Sequence, residues 1–167
     1  MLLETNLNTI AHKSVLDALI NDKFVAYLKQ LDATEIDEAV YELDSIITPQ
    51  IDCTQCGNCC KTLMINVEEP ESKIAAHSLS LTQKQFEDSY IEKSLGGRMV
   101  ISKIPCHFLE DNKCNIYLNR FSGCREFPAL HLPQIQKRLF TVFMHYGRCP
   151  IIFNVMEQLK VIVKFEG

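Results

Sequence analysis

The chain has 167 residues, 47% hydrophobic and 23% charged, with 17 basic residues against 21 acidic ones and a formal net charge of −4. That balance suits one globular domain with room for an appended helical segment, and it lacks the basic excess of a nucleic-acid-binding surface. No stretch approaches the roughly 18 apolar residues of a membrane span, and Met1-Leu-Leu-Glu-Thr-Asn does not lead into a signal-peptide core, so neither feature is expected.

In chain order, residues 10–31 carry Val15, Leu16, Leu19, Phe24, Leu28 and Leu31 near helical spacing, which predicts an amphipathic helix. Thr34 offers an N-cap with Asp37 three residues on, and Ile36, Ala39, Val40, Leu43 and Ile47 give a second stripe that Pro49 stops. Residues 1–50 therefore read as a helical hairpin, and 51–167 as a separate cysteine-bearing domain. Residues 62–67 alternate as a short strand. Residues 68–79 read as a helix with Pro70 in its first turn, and Thr82 with Gln85 is a capping box opening another. Gly96-Gly97 marks a turn, and residues 98–104 a strand. Residues 105–133 are loop-rich and hold Pro105, Pro128 and Pro133. The apolar, aromatic run 139–146 reads as a strand, and Pro150 opens a last helix through about residue 163. The expected fold is a small α+β domain of short strands and flanking helices around an irregular, metal-cross-linked centre.

The eight cysteines dominate the chemistry. Cys53, Cys56, Cys59 and Cys60 fall within eight residues, and Cys106, Cys114, Cys124 and Cys149 follow. With no export signal the expected compartment is the reducing cytoplasm, where thiols stay reduced or bind metal; a disulfide framework would need export. Thiolates are soft ligands that select zinc, copper(I) or iron–sulfur clusters over calcium or magnesium. The C-x-x-C-x-x-C spacing of Cys53, Cys56 and Cys59 lets three sulfurs converge, as in ferredoxin-type clusters, and zinc sites also use C-x-x-C pairs. Gly57 and Asn58 suit the tight turn this demands. In an extended backbone adjacent Cys59 and Cys60 would face opposite sides and could serve two neighbouring centres; eight thiols would satisfy two four-sulfur sites, or one with four cysteines to spare. Cys149-Pro150 has the dipeptide that closes ferredoxin runs, but lies far downstream. Each later cysteine taken singly is also a small buried hydrophobe. Arg125 follows Cys124, where a guanidinium can donate to anionic sulfur, with an ordinary surface arginine as the plain alternative. His12, His77, His107, His131 and His145 are expected to lie on the surface or in the core rather than on metal.

The ordered set Cys53-x-x-Cys56-Gly-x-Cys59-Cys60, Cys106-x-Phe-Leu, Cys114-x-Ile-Tyr117 and Cys124-Arg125-x-Phe127-Pro128 resembles the YkgJ-type cysteine-cluster family. The resemblance runs from about Cys53 to Pro150 and leaves the N-terminal helices outside. It implies iron, chiefly as an iron–sulfur cluster, or zinc. A related module occurs in flagellin lysine N-methylase, which implies a methyl-transfer link for some members. One departure is Arg120-Phe121, where such sequences often carry Arg-Pro.

Three functions follow as expectations. The first is a cysteine-ligated iron–sulfur or zinc protein acting in electron transfer, sensing or as an accessory factor. The second is a structural zinc protein whose surface binds a protein partner. The third is an enzyme resembling a protein-lysine N-methyltransferase, although no methyl-donor loop is recognisable. No nucleic-acid or membrane partner is expected.

Overall fold

The computed structural model describes residues 2–167. Its helices are α1 (Leu7–Leu16), α2 (Ala18–Leu28), α3 (Ala33–Ile47), α4 (Cys53–Cys56), α5 (Asn58–Thr62), α6 (Glu69–Ser78), α7 (Gln83–Tyr90), α8 (Ser122–Glu126), α9 (Ile135–Tyr146) and α10 (Pro150–Ile162). The strands are β1 (Ile65–Val67), β2 (Glu92–Lys93), β3 (Met99–Ile101), β4 (Leu109–Glu110) and β5 (Lys113–Cys114). The class is α+β, as expected. Two compact units divide the chain. One holds the residues up to Asp52 together with Pro128–Gly167, and the other is Cys53–Phe127. The segment Pro128–Gly167, grouped with the cysteines in the sequence reading, thus folds with the N-terminal helices.

The helical unit is built on α10. Pro150 fits the first turn, where its missing N–H is no loss. Pro150 to Met156 is buried without a break, so the first two turns of this helix are covered all round, and it packs against α1, α3 and α9. Ile36, Val40, Leu43 and Ile47 of α3 meet it with one clean stripe. The buried polar residue Asn154 is fully used: it accepts from the Glu4 N–H at 2.9 Å and donates to the Glu4 and Pro150 carbonyls at 2.8 and 2.7 Å. Lys160 donates to Asn21 at 2.8 Å and to Glu157 at 2.6 Å, and the Tyr146 hydroxyl donates to the same Glu157 oxygen at 2.7 Å.

Several expectations are corrected in this unit. The single helix over 10–31 is two, α1 and α2, broken at Asp17, whose backbone (φ −92, ψ 10) leaves the helical well. Asp32, not Thr34, caps α3 by accepting from the Thr34 and Glu35 N–H groups at 2.9 and 3.1 Å. Asp37 instead accepts from the Gln134 and Ile135 N–H groups at 2.6 and 2.8 Å and so caps α9. The strand expected over 139–146 is that helix: Ile135, Leu139, Val142 and Tyr146 are its buried face.

The cysteine-bearing unit has a three-stranded antiparallel sheet in the order β1-β3-β2, with Ile65 opposite Ile101 and Glu92 opposite Val100. Residues 62–64, read as strand, close α5 and lead into β1; residues 98 and 102–104 lie outside β3. Helices α6 and α7 pack together. Gln85 accepts from the Thr82 N–H at 2.9 Å, the capping box read from the sequence, and α6 has one not read there, with Glu71 accepting from the Glu68 N–H at 3.0 Å. The core gathers Val67, Ala75, Ala76, Phe86, Ile101, Phe108, Ile116 and Phe121. Phe108 is its hub, with ring centroids 6.2 Å from Phe86, 5.1 Å from Tyr90 and 6.2 Å from Phe121. The stretch expected to be irregular contains a hairpin, β4–β5, closed by Asp111 and Asn112 at φ +47 and +64. Two residues with positive φ form the primed turn whose twist matches antiparallel strands.

Candidate metal centre

Cys53-Thr-Gln-Cys56 is the single turn α4, so its two cysteines, three apart, share a face. Gly57 ends that turn: its N–H donates to the Cys53 carbonyl at 2.9 Å, and its backbone is left-handed at φ +56. The chain then restarts as α5, which carries Cys59 and Cys60. A Cβ at residue 57 would meet the Asn112 Cβ at 3.2 Å and its Cα and carbonyl oxygen at 3.3 Å. Glycine is therefore required twice, for its torsion and for the close approach. This approach sets the cysteine run on the β4–β5 turn, and α4 packs against β5, which bears Cys114. The Cys106 N–H donates to the Cys60 carbonyl at 2.8 Å, which ties in a third segment. Cys124 enters on α8, whose N-cap Phe121 is buried in the core. Cys106, Cys114 and Cys124 all pack against that aromatic core.

Five thiols consequently feel one another. Cys59 and Cys106 each interact electrostatically with the other four members of the set Cys59, Cys60, Cys106, Cys114 and Cys124. The Cys59 and Cys60 thiols share a hydrogen bond, which lowers Cys59 to about 6 and raises Cys60. Such a pair ionises once easily and resists a second ionisation. Burial pushes Cys124 up to about 12, and burial likewise raises Cys106 and Cys114. Cys53 is exposed and Cys56 half-buried on the adjoining turn. Cys149 belongs to the helical unit, buried at the N-cap of α10.

The charge beside these sulfurs is Arg120, which the sequence reading noted only as part of a departure. Its field lowers Cys59, Cys114 and Cys124. Its guanidinium carbon lies 4.0 Å from the Tyr117 ring centroid. The one sequence clue was its place between Cys114 and Cys124. Phe121, at the position where proline was the resembling pattern, fills the core instead. Arg125, expected to serve the thiolates, turns elsewhere: it donates to the Arg120 carbonyl and lies 3.7 Å from Glu71. His107 stands edge-on to Tyr90 at 5.1 Å, and burial lowers its pKa.

The donor set fits a soft metal, since it is rich in sulfur and four chain segments bring it together. Among the described residues, no three His, Cys, Asp or Glu side chains already stand at metal-ligand spacing. Among the described residues no helix is long and apolar enough to cross a membrane. No curated protein and no solved structure matches the chain. A family model does, over residues 52–147, which span Cys53 to Cys124. The chain belongs to the CxxCxxCC family, described as a "putative zinc- or iron-chelating domain".

Proposed function

We propose that the unit Cys53–Phe127 holds a thiolate-ligated zinc or iron centre, with donors drawn from Cys59, Cys60, Cys106, Cys114 and Cys124. Cys53 and Cys56 line the adjoining turn. The observation that carries this reading is that four cysteine-bearing segments meet: Gly57 lies against Asn112, α4 against β5, the Cys106 amide on the Cys60 carbonyl, and Cys106, Cys114 and Cys124 on one aromatic core. Buried thiols of a generic core have no reason to meet in this way, because each sits among apolar neighbours. Zinc would supply a redox-inert cross-link there, whereas iron, alone or with sulfide, would supply one-electron chemistry. The chain's own part is to hold donor atoms on a rigid aromatic floor and to exclude water from one side. The role that follows is an accessory or sensing protein if the metal is zinc, and electron transfer if it is iron–sulfur.

The test is metal and sulfide analysis with visible absorption on protein purified without oxygen, beside the variant Cys106→Ser. Cys106 is chosen because its amide sits on the Cys60 carbonyl and its side chain packs on the same core as Cys114 and Cys124. Stoichiometric zinc without colour assigns the cross-link. Iron with sulfide and a visible band assigns the electron carrier. Wild-type protein without metal, or full retention by Cys106→Ser, sinks the proposed centre.

A further inference from the structure

The sequence places Val15, Leu16 and Leu19 in one apolar stripe with Phe24 and Leu28, but the helical unit buries only the last two. Val15, Leu16 and Leu19 are left 74%, 66% and 78% exposed. Isolated exposed apolar side chains are ordinary, whereas a contiguous set marks a surface that another body covers. These are contiguous. Val15 lines a cavity of about 490 Å3 that also takes in Phe143 and Met144 of α9. Phe140, one turn before Met144, is 82% exposed, and Met144 is 50% exposed. Large apolar groups therefore border the cavity on both sides. Its α1–α2 wall is completed by Ala11, Ser14 and Ala18, whose side chains are short.

A trough of short side chains beside ridges of large ones makes this face self-complementary. A two-fold axis through it seats the ridge of each copy in the trough of the other, the isologous arrangement that is commonest among soluble oligomers. Charge points the same way. The cavity is also lined by Asp22 on α2 and by Arg148 just past α9, and both are exposed. Two-fold pairing can set Asp22 of each copy against Arg148 of the other, whereas like charges there would oppose it. The area is sufficient too. At their exposures, Val15, Leu16, Leu19, Phe140 and Met144 present on the order of 600 Å2 per copy. Two copies then cover on the order of 1,200 Å2, above the roughly 1,000 Å2 of a specific interface.

We infer that the face formed by α1, α2 and α9 is the interface of a homodimer, with Leu19 and Phe140 of one copy packed on the cavity of the other. Metal plays no part in it.

The test is sedimentation velocity of the full chain in reducing buffer from about 1 to 100 µM, a range that brackets micromolar affinity. Wild type is expected to pass from monomer to dimer across that range, and to do so equally with a chelator present. Leu19→Glu and Phe140→Glu alter exposed positions. Each should keep the far-UV circular dichroism of wild type while raising the dissociation constant about tenfold or more. Leu118→Glu, at a position 92% exposed in the cysteine-bearing unit, should leave that constant unchanged. Asp22→Arg and Arg148→Asp should each weaken the dimer about threefold, and the double variant should recover most of the loss. Wild type that stays monomeric across the whole range overturns the inference. Binding of phosphatidylcholine vesicles by that monomer, lost in Leu19→Glu, would then give the face to a lipid surface. A dimer unchanged in both glutamate variants, or one that disappears with chelator, overturns it by placing the contact elsewhere. A double charge variant that recovers nothing overturns the two-fold pairing.

Discussion

Replacing Gly57 with alanine tests how the cysteine run is held. The residue sits at φ +56, where an L side chain costs about 1–2 kcal/mol. The added Cβ would also lie 3.2 Å from the Asn112 Cβ and 3.3 Å from its Cα and carbonyl oxygen, closer than ordinary van der Waals contact. The hairpin turn can relieve that contact only by moving away from residue 57. The combined penalty is about 2 kcal/mol, the sum of a torsional part and a smaller steric part. Where the strain is relieved by parting the run from β5, Cys59 draws away from Cys114, and metal binding must restore the approach. At 1.4 kcal/mol per tenfold, the zinc affinity should fall by about 10- to 30-fold. Gly97→Ala is the control. It also sits at positive φ, +76, yet has open space and no cysteine nearby in sequence. It should lose stability in urea without losing zinc affinity. Chelator competition on both variants decides the matter. Gly57→Ala binding zinc within twofold of wild type would refute the argument that this contact assembles the centre.

Two further outcomes concern the helical unit. Asp37→Ala removes the acceptor of two N–H groups at the start of α9, and should lower the unfolding free energy by about 1 kcal/mol in urea titration. Burial, and then the bond to Glu157, raise the Tyr146 phenol above its ordinary 10.0. The fold therefore favours the neutral phenol, so that contribution is whole below pH 10 and is lost as the pH rises above it. Urea midpoints should drop more steeply above about pH 10 in wild type than in Tyr146→Phe, and parallel profiles would show that the phenol is not responsible.

What was legible in the sequence was local. The cysteine run announced a metal-binding unit because its spacing is short, and the cap of α7 was readable because donor and acceptor lie within three residues. Helix α9 was misread for the opposite reason. Its N-terminus is capped by Asp37, some hundred residues earlier in the chain, and no serine, threonine or aspartate marks its start. Phe140 and Phe143 add apolar residues beside the helical stripe, which blurs 3.6-residue spacing into a strand-like run. The β4–β5 hairpin escaped because two-residue strands carry no periodicity; Asp111-Asn112 was the only sign, both being residues that tolerate positive φ. The partition of the cysteines had no local signal at all. Cys149 resembles the others in sequence, but it is set in the apolar N-terminus of α10, and only tertiary structure tells the two situations apart.

The same long-range placement explains how a sulfur-rich centre can be folded without being closed. Four thiolates gathered without a cation would repel one another at short range, and burial on an aromatic floor would sharpen that repulsion. The chain avoids this by keeping most of the thiols protonated. Burial holds Cys106, Cys114 and Cys124 neutral, and the shared hydrogen bond lets one charge of the Cys59–Cys60 pair form near pH 6. The Cys59 thiol, beside the Arg120 cation, is thus the one most readily ionised. Rigid parts secure the backbone of every segment: Gly57 against Asn112, the Cys106 amide on the Cys60 carbonyl, and Phe121 beside Phe108. Neutral thiols packed on the aromatic core therefore need no cation between them for the chain to fold.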